Sequence, residues 1–226
     1  MTSLKILSGG AMQGLMAEAV PLFERGDGCK VAVEIGLTSA LRRTISDGAV
    51  FDIALLPRPD IDALARDGRI AVGTMADIAR SAIGVAVRAG VPKPDIASVE
   101  AFKRAILQAP SVTYSDGPSG LYIAGLMERL GLAEAIKSKT RLTTGPVAAL
   151  LARGEADLGL QQIVAILPVK GAELVGPLPR ELQNIIIYTA GVSASSRQGA
   201  AARDFIGFLA APEIGRIIRA KGLEPG

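Results

Sequence analysis

Short apolar runs alternate along this chain with segments whose apolar positions recur every three to four residues, the grammar of strand-helix-strand units. Leu4 to Leu7 reads as a strand, and Met12, Leu15, Met16, Ala19, Leu22 and Phe23 then line one face of a helix. Val31 to Ile35 is the next strand, followed by a helix through about Ser46, a buried strand from Phe51 to Leu56, and a short helix from Asp60 to Arg66. Ser81 to Val87 reads as one strand, and Val91-Pro92-Lys93-Pro94 as a stiff exposed connection. The pattern then repeats: a helix over Val99 to Gln108, a strand over Ser111 to Tyr114, a turn over Ser115 to Gly120, and a helix from Leu121 to Leu130 closed by Gly131. Thr143 to Pro146 opens a helix with Pro at its first position, running to Arg153, and Ala156 to Leu160 begins another strand. Ile185 to Thr189 is the returning strand, and two helices, Gly199 to Leu209 and Glu213 to Ala220, end the chain. The fold class is α/β, with largely parallel sheets flanked by helices.

Composition narrows the function. With 226 residues and 49% hydrophobic ones, the chain builds one large domain or two compact lobes. Trp is absent and aromatics are 4%, so the core is made of Ala, Val, Leu and Ile. The 25 basic and 22 acidic residues are interspersed, without basic runs or interleaved aromatics, which argues against nucleic acid as a partner. Without His, a Ser-His-Asp or Cys-His pair and a zinc-type ligand set are excluded, and no metal or cofactor is expected. Cys29 stands alone before an apolar run and reads as a packing residue. Charge, Gly or Pro interrupts every apolar run before about 20 residues, so no direct membrane insertion is expected. The first strand begins almost at once, which points either to a removed signal peptide or to a cytoplasmic protein.

The candidate chemistry lies in four turns that each follow a strand and open a helix: Ser8-Gly9-Gly10-Ala11, Gly36-Leu37-Thr38-Ser39, Ser115-Asp116-Gly117-Pro118-Ser119-Gly120, and Thr144-Gly145-Pro146-Val147. A helix start leaves backbone N–H groups unpaired and carries partial positive charge; Gly admits a ligand to the backbone, and Ser or Thr adds a hydroxyl donor. The same residues also serve as ordinary helix caps. Arg58, in Leu56-Pro57-Arg58-Pro59, stands just past a strand's carboxyl end, where a guanidinium can pair with a carboxylate or sit in solvent. Gln161 and Gln162 offer neutral amides at another strand end.

Leu7-Ser8-Gly9-Gly10-Ala11-Met12, Thr38-Ser39-Ala40-Leu41-Arg42 with Phe51-Asp52-Ile53, Tyr114-Ser115-Asp116 with Ser119-Gly120, and Leu151 to Gly159 resemble the molybdate-binding branch of type II periplasmic binding proteins. The similarity runs through Glu181-Leu182-Gln183-Asn184 and covers nearly the whole chain. It implies two lobes, residues 1–80 plus 190–226 and residues 81–189, with a small anion held in the cleft between them. It further implies ligand contacts from Ser8, Gly10, Ala11, Thr38, Ser39, Ser119, Gly120, Val147 and a position near Gln162, a periplasmic location, and a membrane permease as partner. The chain departs from the molybdate pattern in having Gly10 and Gln162 where that branch generally has Ser and Tyr, which argues against molybdate, while Arg58 and the Gln161-Gln162 amides point to a larger, carboxylate-bearing anion.

Two functions follow: a binder serving a transporter or sensor, or a cofactor-independent isomerase of an unsaturated tricarboxylate such as aconitate, an activity that a few proteins resembling this family have. The second moves a proton and needs one positioned acid or base, for which Tyr122, Tyr114 and Asp116 are candidates; Asp116 reads equally as a turn residue. An effector domain of a transcription regulator shares the fold, but no helix-turn-helix precedes Leu4.

Overall fold

The computed structural model describes residues 2–27, 29–116 and 118–226, which form two compact units, residues 1–80 with 186–226 and residues 81–185. In the first unit the chain runs β1 (Ser3–Gly9), a 3-10 turn (Gly10–Met12), α1 (Gln13–Asp27), β2 (Lys30–Gly36), α2 (Thr38–Ser46), β3 (Ile53–Pro57), α3 (Arg58–Arg66) and β4 (Ala76–Ser81). The second unit holds β5 (Ile83–Arg88), α4 (Val99–Gln108), β6 (Val112–Ser115), α5 (Pro118–Arg129), α6 (Ala133–Ile136), β7 (Thr140–Thr143), α7 (Val147–Ala152), β8 (Leu158–Gln162), α8 (Ile163–Ile166) and β9 (Ala172–Pro177). The chain returns through β10 (Ile186–Val192), α9 (Gly199–Ala210), α10 (Gly215–Ala220) and β11 (Glu224–Pro225).

The α/β class is borne out as two mixed sheets. The first has strand order β11-β4-β10-β3-β1-β2, with β1 parallel to β2 and β3 and β10 antiparallel to β3. The second is ordered β7-β6-β8-β5-β9, with β6 parallel to β7 and β8 and β5 antiparallel to β8 and β9. Each sheet thus has a parallel arm of three strands and an antiparallel remainder. The strand expected over Ser81 to Val87 is two: β4 ends at Ser81 in one sheet and β5 starts at Ile83 in the other. Gln183 fixes the start of β5, accepting from the Ile83 N–H at 2.8 Å and donating to its carbonyl at 3.0 Å.

Both faces of each sheet are covered, which is why the central strands read as unbroken apolar runs. In the first unit Leu7, Leu41, Ile45, Phe51, Leu56, Ile61 and Leu64 pack on one side, while Phe23 of α1 meets the ring of Phe205 of α9 edge-on at 4.9 Å. In the second, Phe102, Ile106, Ile123, Leu126, Met127 and Leu160 form the larger core, and Ala86, Leu151, Ala156 and Ile166 the smaller one. Cys29 is buried, as its apolar setting foretold.

Some helix starts differ from expectation. Pro146 is the N-cap of α7 and not its first residue, α5 begins at Pro118 inside the expected turn, and the last helix starts as a 3-10 turn, Pro212–Ile214. Gly117, part of the third turn, lies outside the described residues. The start of α5 is set by a close approach: a Cβ on Gly120 would lie 1.5 Å from the Ser115 carbonyl oxygen, whereas one on Gly10 would meet nothing within 4 Å. Gly120→Ala is therefore expected to destabilise the protein by about 1–3 kcal/mol, because backbone must move to relieve the overlap. Gly10→Ala is expected to stay within about 0.5 kcal/mol of the parent, as an unhindered surface change does. Urea unfolding of the two variants checks the contrast.

Candidate functional site

The parallel arm of the first sheet puts three helix starts on one edge. Gly9 pairs with Gly36, and Ser8 with both Ile35 and Leu55, so β1, β2 and β3 end together and hand the chain to the Gly10 turn, α2 and α3. The starts touch: a Cβ at Gly9 would sit 3.6 Å from Thr38 Oγ1 and 3.8 Å from the Leu55 carbonyl oxygen. The N-cap of α2 is Leu37, 78% exposed and without a polar side chain, so Thr38 and Ser39 are the first two helical residues and not its caps. Neither of their hydroxyls has a hydrogen-bond partner among the described residues. The Gly10 turn likewise has no side-chain cap. Gly10 is exposed and Ala11 half-buried, but Ser8 is fully buried and its hydroxyl lies 3.5 Å from the Gly9 carbonyl oxygen. Thus Thr38 lies beside Gly9, Gly10 and Ser39 are exposed on the same edge of the sheet, and Ser8 is buried.

Arg58 lies on the same edge, as the first residue of α3, but it is already engaged. Its Nε donates to Asp62 at 3.0 Å and its Nη1 to both oxygens of Asp77 at 2.9 and 3.1 Å, while Thr189 Oγ1 donates to Asp77 at 2.6 Å. The hydrogen bonds to Asp62 and then Asp77 raise its pKa further, so it stays charged. One positive charge facing two negative ones is a poor lure for an anion. Asp77 and Thr189 were not marked by any sequence motif; Asp77 meets Arg58 from β4, and Thr189 holds Asp77 from the neighbouring strand β10.

The second unit repeats the arrangement. Ser115 pairs with Thr143 and Tyr114 with Leu160, so β6, β7 and β8 also end together, and the Asp116 N–H donates to the Thr143 carbonyl at 3.1 Å. Ser119 and Gly120 are buried in the first turn of α5. Val147 is fully buried, and its N–H donates to Gln161 Oε1 at 3.1 Å. Gln162, half-buried at the end of β8, is the N-cap of α8. Gln161, whose amide the sequence offered alongside that of Gln162, is the one that answers a helix start. Strand alternation was the signal: Gly159 and Gln161 face α7, and Leu158, Leu160 and Gln162 face away.

The three acid/base candidates differ in what they can do. Tyr122 donates its hydroxyl to the Leu182 carbonyl at 3.0 Å and stacks under Arg129, 5.3 Å from the ring centroid, so its proton is committed to structure. Burial first and the Glu128 charge second raise the Tyr114 pKa, which holds that phenol protonated at neutral pH. Asp116 is exposed at the end of β6. The concavities of the second unit are elsewhere: one of about 430 Å³ between Lys93–Ala97 and Val175–Pro179, another of about 340 Å³ by Arg88, Gln108 and Asp157, where β6 and β8 begin. Among the described residues no cluster of His, Cys, Asp and Glu suits a metal ion, and no helix is long and apolar enough to cross a membrane.

Residues 4–224 match the family model of the bacterial extracellular solute-binding proteins. The chain belongs to that family. Among solved structures, this solute-binding protein is similar to the periplasmic molybdate-binding protein of Azotobacter vinelandii, with a TM-score of 0.78, 19% identity and 99% of each chain covered. It is also similar to the sulfate-binding protein of Mycobacterium tuberculosis, with a TM-score of 0.77, 18% identity, all of this chain covered and 87% of the other. At such identities the likeness is one of fold, and the fold is the type II periplasmic-binding-protein fold foreseen from the sequence. A curated relative, an aconitate isomerase from a Pseudomonas species, is 34% identical over 231 residues, covering 99% of this chain and 88% of its own.

Because Leu37 holds the N-cap of α2, Thr38→Ala with Ser39→Ala should leave stability within about 0.5 kcal/mol of the parent, as surface changes away from caps do. Arg58→Ala should lower the melting temperature, since it leaves Asp62 and Asp77 facing each other unpaired, while changing the affinity for an anion by less than about threefold. Differential scanning calorimetry and titration calorimetry on folded protein read the two quantities separately.

Proposed function

We propose that this solute-binding protein captures a small polycarboxylate of the aconitate kind on the helix starts at the carboxyl edges of its parallel strands. One observation carries the reading: the Thr38 hydroxyl stands beside Gly9, where two helix starts without a side-chain cap meet at the strand ends. Such donors favour negative charge, and hydrogen bonds to a charged partner are worth about 1.5–3 kcal/mol each. The choice of a carboxylate over a compact oxyanion is supported by Gly10 and Gln162, where the molybdate pattern has hydroxyls, and by the full-length similarity to an aconitate isomerase. As a binder, the protein would pass its anion to a membrane permease.

The same relative favours a second reading, in which the bound tricarboxylate is also isomerised. A proton leaves one carbon and another is delivered to the carbon across the double bond, so one group that takes and returns a proton suffices. The Tyr122 hydroxyl is engaged with the Leu182 carbonyl and burial raises the Tyr114 pKa, which leaves the exposed Asp116, on the edge of the second sheet, as the candidate base.

A thermal-shift panel of cis- and trans-aconitate, citrate, molybdate, tungstate, sulfate and phosphate tests the first reading. A ligand at 100 times its Kd adds about 2.7 kcal/mol. A chain of this size gains about 2–4 °C per kcal/mol. A polycarboxylate is expected to give the largest shift, about 5–10 °C. Silence across the panel, or nanomolar affinity for molybdate, would contradict it. Proton NMR of trans-aconitate with the protein decides between the readings: the cis signals grow if it is an isomerase, and Asp116→Asn then stops their growth while binding persists.

A further inference from the structure

We propose that the outer edge of β2 is a surface on which a second copy of this chain pairs, and that Glu24 of α1 holds it shut. β2 is the last strand of the first sheet and pairs, among the described residues, with β1 alone. The Lys30 N–H donates at 3.0 Å to the carbonyl of Thr2, just before β1, so by strand alternation the backbone groups of Val31, Val33 and Ile35 point outward. Among the described residues the Val33 and Ile35 N–H groups have no partner. Seven residues of regular strand with such an edge are a template for another strand. Neither face stands in the way: Val31, Val33 and Ile35 are only half-buried, and Lys30, Ala32 and Glu34 are exposed.

Charge selects the occupant. Run antiparallel about a two-fold axis at Ala32, two copies of β2 place Lys30 of each opposite Glu34 of the other, and turn the Val31 N–H of each towards the Val33 carbonyl of the other. An axis at Lys30 or Glu34 would set like charges against each other, and one at Val31 or Val33 would match no charges at all. Glu34 is free to take part, because its side chain stays half exposed beside Lys5, 3.3 Å away. Glu24 withholds what this pairing needs. Its Oε1 accepts from the Val31 N–H at 2.9 Å and its Oε2 from the Lys30 ammonium at 3.2 Å, so one carboxylate occupies both an outward edge donor and the cation of the ion pair. A partner strand must break both bonds before it can form its own.

Sedimentation velocity over a range of concentrations tests the assignment with Glu24→Ala and Glu24→Ser, both too short to reach Val31 and both checked for folding by circular dichroism. The parent is expected to sediment as a monomer and the two variants as dimers, their association tightened by about a hundredfold or more because two bonds to a charged group no longer oppose it. Glu24→Gln keeps an oxygen for the Val31 N–H and should stay within about tenfold of the parent. Hydrogen exchange reads the surface itself: the Val33 amide should exchange freely in the parent and be protected in the dimer. Lys30→Glu added to Glu24→Ala sets a carboxylate opposite Glu34 and should return the chain to a monomer. Folded Glu24 variants that stay monomeric, a parent dimer that they do not tighten, or a dimer that leaves Val33 unprotected or survives Lys30→Glu overturns the assignment.

Discussion

The register of three parallel strands in each sheet is the constraint on which everything else depends. When β1, β2 and β3 end at Gly9, Gly36 and Pro57, the chain must turn on one edge three times, and each turn opens a helix there. Parallel strands demand such crossovers, so the clustering of helix starts is a product of topology before it is a product of chemistry. Chemistry enters in what fills the turns. Gly9 and Gly10 keep the first free of side chains, Leu37 leaves α2 without a cap, and Gly120 lets α5 begin against the Ser115 carbonyl.

The electrostatics of these edges come mainly from neutral groups. Arg58, at the start of α3, is spent on Asp62 and Asp77, and through Asp77 and Thr189 it ties α3, β4 and β10 together. Positive character is left to backbone N–H groups, hydroxyls and amides, which act on an anion through short, directed bonds. Such a site discriminates by where its donors stand.

Much of the fold was legible because buried parallel strands and amphipathic helices carry strong periodic signals; α4 was placed at its observed ends, and β1 to β3 within two residues. Short edge elements escaped. β7 is four exposed or half-buried residues with no apolar pattern, β9 is half-buried up to its exposed last residue, and β11 is two residues long. The split at Ala82 was hidden because a chain that passes from one sheet to another remains apolar on both sides of the crossing. At the site, local turns were readable from Ser, Thr and Gly, and the side chains that answer them were not. Asp77 reaches Arg58, and Thr189 reaches Asp77, from far along the chain, and Gln161 meets Val147 only because Gly159 lets the helix down.

The account's central claim is that an organic polycarboxylate binds at the uncapped helix starts of the first sheet. Titration of isotopically labelled protein with trans-aconitate, followed through amide nitrogen-proton correlation spectra, tests it most directly. The account predicts the largest shifts at the backbone amides of Gly10, Ala11, Thr38 and Ser39. It is contradicted if these signals stay still while others move, such as those of Arg88 and Asp157 where β6 and β8 begin.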